Sequence, residues 1–266
     1  MHINLDFSAH QVLWTLNFAA QLVLLVVLLG RDRVRRFPWF TAGIMLVALQ
    51  LMAEELLAGR IATLLYKEIL LALSDLGAIV GLLVLVEVAR RAFAGARRPL
   101  WIVNTVGLLV VAGSVLVFLG PWPVVKDLAL GSMVGKLRMM QLVALKGETL
   151  VALLTVELGL LVALFGRRFK AGWRSHAQQI VIGLSTVAIT LLTIQAVVQS
   201  IVRTVHPKTQ YEYDHAVGLL GKLMNANQVV YVAALLWWIV WLWLDEPGTL
   251  KTPASDTAEE PEALGK

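Results

Sequence analysis

The chain consists of apolar runs of about 20 residues, separated by short charged or turn-forming segments. A run of that length, wound as an α-helix, crosses the ~30 Å hydrocarbon core of a bilayer. Of the 266 residues, 58% are hydrophobic and only 15% are charged, whereas a soluble domain is about half apolar and a quarter charged. A transmembrane β-barrel would show alternating segments of about ten residues instead. The sequence therefore predicts an all-α, polytopic integral membrane protein.

Seven such runs predict a seven-helix transmembrane domain over residues 1–244. Their approximate bounds are 9–30, 38–58, 66–89, 100–120, 144–166, 177–202 and 215–244. The start of the chain lacks a basic region and a small-residue cleavage site, so we expect the first span to be retained rather than removed as a signal peptide. Residues 245–266 are acidic and contain few large apolar side chains, so a disordered tail is expected there.

Basic residues are distributed unevenly between the connections. Clusters follow the first, third and fifth spans, as RDRVRR (31–36), RRAFAGARR (90–98) and RRFKAGWR (167–174). Because Arg-rich loops stay in the cytoplasm, the N-terminus is predicted outside, with the C-terminus and tail inside. The aromatic run WWIVWLW (237–243) would then meet the cytoplasmic headgroups. The net charge of +5 reflects these loops, and no nucleic-acid partner is expected.

Polar side chains occur within the spans mainly in their outer halves. An ionised group at a helix centre costs about 2.5–3.5 kcal/mol, so these residues should turn toward the bundle interior. We expect a funnel with a polar cavity that opens outward and an inner end sealed by apolar packing. The competing interpretation is ordinary hydrogen bonding between helices. The residues expected to contact a small polar ligand are Asn17, Asp75, Glu148, Gln195, Gln199, Lys222 and Asn225.

Glu157 is the most deeply placed carboxylate, about 12 Å above the cytoplasmic end of its span. Its neighbours one turn away are leucines, so the carboxyl group should be protonated or bonded to another helix. Ser185 and Thr186 lie at matching depth on the next span, and we expect a hydrogen bond to that region. Glu157 is thus predicted to be either a clamp between helices or part of a proton relay.

Most enzyme and cofactor chemistry has no motif in this sequence. The absence of cysteine excludes disulfides and thiolate metal sites. His10, His206 and His215 fall at the outer face and could bind a metal or haem, but their spacing matches no metal motif. Lys222 invites comparison with the Schiff-base lysine of retinal proteins, although Tyr231 and Trp237 do not form the expected chromophore cage. No cofactor or resident metal is expected, and an enzymatic role is disfavoured.

The predicted topology and the polar side chains within the spans together give three functional hypotheses. In topology alone, the predicted arrangement resembles receptors and bacterial seven-helix sensory modules. The leading hypothesis is a non-enzymatic sensor of a small polar ligand from outside, which signals to a separate cytoplasmic or membrane partner. The alternatives are a small-solute or proton-coupled transporter and a structural subunit of a membrane complex. In each case the chain lies in the lipid bilayer, the cytoplasmic membrane if the source is bacterial.

Overall fold

The computed structural model describes residues 9–93, 107, 111–113, 115, 133–165, 175–204 and 209–245. All regular structure in these residues is helical, and none of them forms a β-strand. The helices are α1 Ala9–Gly30, α2 Arg33–Arg36, α3 Pro38–Leu57, α4 Thr63–Ala92, α5 Met133–Phe165, α6 His176–Thr204 and α7 Gln210–Trp243.

Six of these helices, all except α2, are long and apolar enough to cross a membrane. This finding supports the prediction of a multi-pass helical membrane protein. The predicted fourth span, 100–120, lies outside the described residues except for positions 107, 111–113 and 115, which are helical. The predicted tail also lies outside them, apart from Asp245.

Two of the long helices extend well beyond their predicted outer bounds. Helix α5 begins at Met133 rather than near residue 144, and α7 begins at Gln210 rather than near residue 215. At 33 residues, α5 is about 50 Å long and exceeds the ~30 Å hydrocarbon core. The apolar segment of the sequence therefore predicts the part of α5 that can lie in lipid, and the helix itself continues beyond that segment.

Local sequence explains several helix ends. Pro38 occupies the first turn of α3, where its missing N–H leaves no hydrogen bond unmade. Gly59 follows α3 with φ of +71°, a left-handed conformation that glycine adopts without strain. Thr209 and Glu212 form a reciprocal capping box at the start of α7. These residues fix where the chain turns between spans.

The six long helices contact one another in the order α1, α3, α4, α5, α6 and α7, and α7 packs against α1. Helices α4 and α6 also contact each other directly, so α5 packs against that pair. Helices α4 and α5 run parallel, since Ala78 meets Gly147 and Gly81 meets Val151 farther along both helices. Helices α3 and α4 run antiparallel: Phe40 N donates to Glu87 Oε2, and Tyr66 Oη donates to Glu54 O at the other ends.

The core of the bundle lies at one end, which we call the packed end. It contains the last turns of α1, α4 and α7 and the first turns of α3 and α6. Side chains that are almost completely buried there include Leu24, Leu28, Phe37, Phe40, Val88, Ile180, Leu235, Trp238 and Leu242. The arginines at 31–36 and at 90–91 lie at this same end. The apolar core and the arginines of these two segments therefore lie at the same end of the bundle.

The other half of the bundle, which we call the open half, is much less tightly packed. No side chain described between residues 63 and 83 of α4, or between 210 and 233 of α7, is buried. The buried positions of α3 likewise end at Ala48. Burial continues into this half on other helices, at Asn17 of α1, Ala144 of α5 and Ile194 of α6, so the loss of packing is confined to α3, α4 and α7.

Candidate functional site

The interior face of α7 changes from apolar to polar along its length. Leu242 and Leu235 are fully buried at the packed end. Gln228 lies seven residues before Leu235, two turns outward on nearly the same face. Its Oε1 atom is buried without a hydrogen-bond partner among the described residues. A polar group thus replaces leucine where the bundle begins to open.

Helix α5 shows the same change and also reveals the opening. Val162 and Thr155 are buried, whereas Glu148, two turns outward on the same face, is exposed. Glu148 forms no hydrogen bond or ion pair with the described residues. Ala144, one turn beyond Glu148 on the same face, is buried again, so the break in packing is local to Glu148.

Helix α1 contributes two amide side chains to the interior. Asn17 and Gln21 are 6% and 0% exposed, and Gln21 Nε2 donates a 2.9 Å hydrogen bond to Asn17 Oδ1. Gln21 Oε1 is buried and has no hydrogen-bond partner among the described residues. Buried polar atoms usually have a partner, so this oxygen can accept from a bound molecule or water.

Contacts between helices place Asn17, Glu148 and Gln228 at similar depth. Arg31 lies over the Trp243 ring at 4.8 Å and aligns α1 with α7. Ser185 Oγ donates to Thr155 O, and Gly183 packs on Trp238, which aligns α5 with α7 through α6. Counted at 1.5 Å per residue, Asn17 and Gln228 lie about 14–15 Å outward from Trp238, and Glu148 lies about 14–20 Å outward, because Ser185 meets both Thr155 and Gly159. We call Asn17, Gln21, Glu148 and Gln228 the interior band.

Trp238 forms the apolar floor beneath the interior band. Its indole is 1% exposed and meets the Phe40 ring edge-on at a centroid distance of 5.2 Å. Trp238 Nε1 donates to Gln179 O at 3.3 Å, and Gly183 leaves room for the ring. These contacts join α3, α6 and α7 across the bundle and close its packed end.

The remaining predicted ligand residues occupy different positions. Gln195 continues the buried face of Ala188 and Val181 on α6, about 18 Å outward from Trp238. Gln199 is exposed and lies beside that face. Asn225 is half-buried and flanks Gln228 on α7. These three residues lie in the open half of the bundle.

Lys222 does not lie on an interior face, and Asp75 lies at the edge of one. Lys222 shares a face with Val229 and Leu236, which are 52% and 54% exposed. Asp75 lies between exposed Ile79 and Leu82, which packs against the core, and its Oδ1 atom is buried without a hydrogen-bond partner among the described residues. The described contacts join neither charge to the interior band.

Glu157 also lies away from the interior face, on the side of α5 that carries Leu160 and Leu164. These leucines are 57% and 72% exposed. The expected bond from Glu157 to Ser185 or Thr186 is not formed. Ser185 Oγ instead donates to Thr155 O, and Glu157 Oε2 is buried without a partner among the described residues. Rotation of α5 explains the difference, because the face that meets α6 is that of Thr155 and Gly159.

No metal centre emerges from the part of the chain that the structure describes, where no three His, Asp or Glu side chains cluster. His206 lies outside the described residues, and the side chains of His10 and His215 are not described. The histidine hypothesis therefore stays a prediction.

Sequence reasoning missed two polar residues that matter for the site. Gln228 lies seven residues before Leu235 and fourteen before Leu242, but leucines on other faces of α7, such as exposed Leu236, leave the sequence without a signal for this face. Glu87 is buried near the packed end, where its Oε2 accepts the N–H of Phe40 at 3.0 Å. That bond satisfies a free donor in the first turn of α3, and no local sequence signal indicates it.

Comparisons with known proteins identify no relative. No protein-family model, curated protein or solved structure matches the chain.

Proposed function

We propose that this protein is a receptor-like membrane sensor that binds a small polar ligand in an outward-facing chamber and signals to a separate partner. The observation that carries the proposal is the exposure of Glu148 on a face of α5 that is buried on both sides of it, at Thr155 and at Ala144. Asn17 and Gln21 on α1 and Gln228 on α7 are further polar groups of the interior, and the two α1 side chains are buried. A largely apolar cavity with a few converging hydrogen-bonding groups is typical of a ligand site.

The proposal includes seven membrane crossings with the N-terminus outside. Its support is the parallel direction of α4 and α5. Two parallel spans can follow one another in sequence only if the chain between them crosses the membrane, which the predicted span at 100–120 would do. The arginines at 31–36 and 90–91 lie at the packed end, and the positive-inside rule assigns that end to the cytoplasm.

The packed end favours binding over conduction. Trp238 and Phe40 close the bundle beneath the interior band, so a ligand would enter and leave by the outer mouth. A transporter would need a second state in which this floor opens inward. Proton-coupled transport remains the second candidate, supported by Glu157 Oε2, which is buried at membrane depth without a partner among the described residues.

Contacts at the packed end offer a route by which ligand binding could reach a cytoplasmic partner. Arg33 donates to Leu244 O at 3.5 Å and pairs with Asp245 at 3.4 Å. His176 Nε2 lies 3.0 Å from the same Leu244 oxygen. A shift of α7 under the chamber would change these contacts, which join α2, α6 and the end of α7. The proposed partner would read that change beside the basic connections.

The proposal is tested by native mass spectrometry and thermal unfolding of the purified protein with ammonium, neutral and carboxylate solutes. The expected result is a saturable one-to-one adduct with one solute, which Gln228→Leu abolishes. Lys222→Gln is the matched control, because Lys222 lies on the exposed face of the same helix. Accumulation of the bound solute inside proteoliposomes would indicate that the protein is a transporter rather than a sensor. If no solute binds and Gln228→Leu stabilises the protein, the polar faces serve packing or subunit assembly instead.

A further inference from the structure

Two arginines at the packed end contact the same aromatic ring from different helices. The guanidinium carbon of Arg91, in the last turn of α4, lies 4.9 Å from the centroid of the Phe37 ring. The guanidinium carbon of Arg36, at the end of α2, lies 5.9 Å from the same centroid. The face of an aromatic ring attracts positive charge, so Phe37 keeps both groups close together. Each guanidinium carries five N–H donors in a planar fork that can bind phosphate through two hydrogen bonds.

The acidic side chains described at the packed end do not balance its arginines. Six arginines are described there, at positions 31, 33, 35, 36, 90 and 91, against three acids, Asp32, Glu87 and Asp245. Asp32 and Asp245 form ion pairs with arginines between positions 31 and 35. Glu87 lies one turn before Arg91 on α4 and partly offsets its charge. The described residues of this end therefore carry a formal net charge of +3, which favours an anionic partner.

An exposed apolar face of α4 runs along the helix and ends beside these arginines. Leu76, Ile79 and Val86 lie on one face of α4, at intervals of three and seven residues, and all three are exposed. Arg90 follows four residues after Val86 on the same face and is also exposed. An exposed apolar face of a membrane-spanning helix lies against the acyl chains of lipids. Helix α4 thus presents an apolar surface that ends in positive charge, as a phospholipid presents acyl chains that end in a phosphate.

We propose that the packed end binds an anionic phospholipid, whose phosphate lies at Arg36 and Arg91 and whose acyl chain lies along the exposed face of α4. Basic pockets between transmembrane helices bind anionic lipid headgroups. A zwitterionic headgroup would place its own ammonium group among the arginines, so a headgroup without a cation fits better. Trp39, exposed in the first turn of α3, supports headgroup depth here, because interfacial tryptophans lie at that level. Lipid binding at this end requires neither the ligand chamber nor a particular side of the membrane.

Native mass spectrometry from detergent micelles tests the site with equal amounts of phosphatidylglycerol and phosphatidylcholine that carry the same acyl chains. We expect the wild type to retain phosphatidylglycerol preferentially. Arg36→Gln and Arg91→Gln should each weaken that retention by about tenfold, the loss expected for hydrogen bonds to a charged group. Arg91→Lys keeps the charge but not the planar fork and should retain part of the affinity. Arg60→Gln is the matched control, because Arg60 is exposed between α3 and α4 at the other end of the bundle.

Four outcomes would overturn the inference. Equal retention of both lipids by the wild type would show that the arginines do not select an anionic headgroup. Unchanged retention of phosphatidylglycerol by folded Arg36→Gln and Arg91→Gln variants would place the lipid elsewhere. An equal loss in Arg60→Gln would indicate diffuse attraction to the net charge of the protein. Glycerophosphoglycerol, the same headgroup without acyl chains, should compete weakly, and competition as strong as that of the lipid would identify a site for a free anion instead.

Discussion

Replacing Trp238 by phenylalanine tests the apolar floor on which the funnel description depends. The smaller ring can keep the edge-on contact with Phe40 but loses the hydrogen bond from Nε1 to Gln179 O. It also leaves space beside Gly183, which the indole fills. The variant should therefore fold with the same topology and a weaker junction between α6 and α7.

The magnitude follows from these two losses. A hydrogen bond between membrane helices contributes about 0.6 kcal/mol on average and at most about 1.7 kcal/mol. The volume difference between indole and phenyl is roughly 40 Å³, which at about 24 cal/mol per Å³ of cavity costs about 1 kcal/mol. Together they predict that Trp238→Phe lowers the free energy of unfolding by about 2 kcal/mol. Trp238→Ala should cost about 3–5 kcal/mol.

Reversible unfolding by SDS titration in mixed detergent micelles measures these differences. Trp237→Phe is the matched control, because Trp237 is the adjacent residue and is 41% exposed. Its substitution should change the free energy of unfolding by less than about 0.5 kcal/mol. Equal effects of the two substitutions would refute the assignment of Trp238 as the floor of the bundle.

Two further substitutions test the packed end by the same unfolding measurement. Gly183→Ala places a methyl group against the Trp238 indole and should lower the free energy of unfolding by about 1–3 kcal/mol. The control Gly218→Ala, where an added methyl group meets nothing within 4 Å, should be neutral or stabilising. Equal effects of the two substitutions would contradict close packing at Gly183. Glu87→Leu removes the acceptor for Phe40 N–H and should lower the free energy of unfolding by about 1–3 kcal/mol. Glu87→Gln keeps an acceptor and should lower it less. A larger loss for Glu87→Gln than for Glu87→Leu would exclude this hydrogen bond as the source of the stability.

Much of the architecture could be predicted from the sequence because lipid imposes a length on apolar helices. The bounds of the first and second spans agree closely with α1 and α3. The outer ends of α5 and α7 could not be predicted from hydropathy, since these helices continue past their apolar segments. The interior position of Asn17 also follows from sequence, because its stripe with Gln21 points to one face of α1.

The choice of interior face on α7 could not be predicted in the same way. Lipid is as apolar as the bundle interior, so leucine and valine occur on both sides of the helix and do not mark the buried face. Lys222 and Gln228 were therefore equally plausible interior residues until the contacts of Trp238 fixed the rotation of α7. Glu87 is a similar case, because its partner Phe40 lies 47 residues away.

Thiol accessibility along α7 tests most directly whether the open half contains a water-filled chamber. The chain contains no cysteine, so Gln228→Cys, Val229→Cys and Leu235→Cys each provide a single reporter. A membrane-impermeant maleimide added from the outside should label Gln228→Cys. It should not label Val229→Cys, which faces lipid at the same depth, or Leu235→Cys, which is sealed in the packed end. Labelling of all three only after denaturation, or of Val229→Cys before Gln228→Cys, would contradict the chamber.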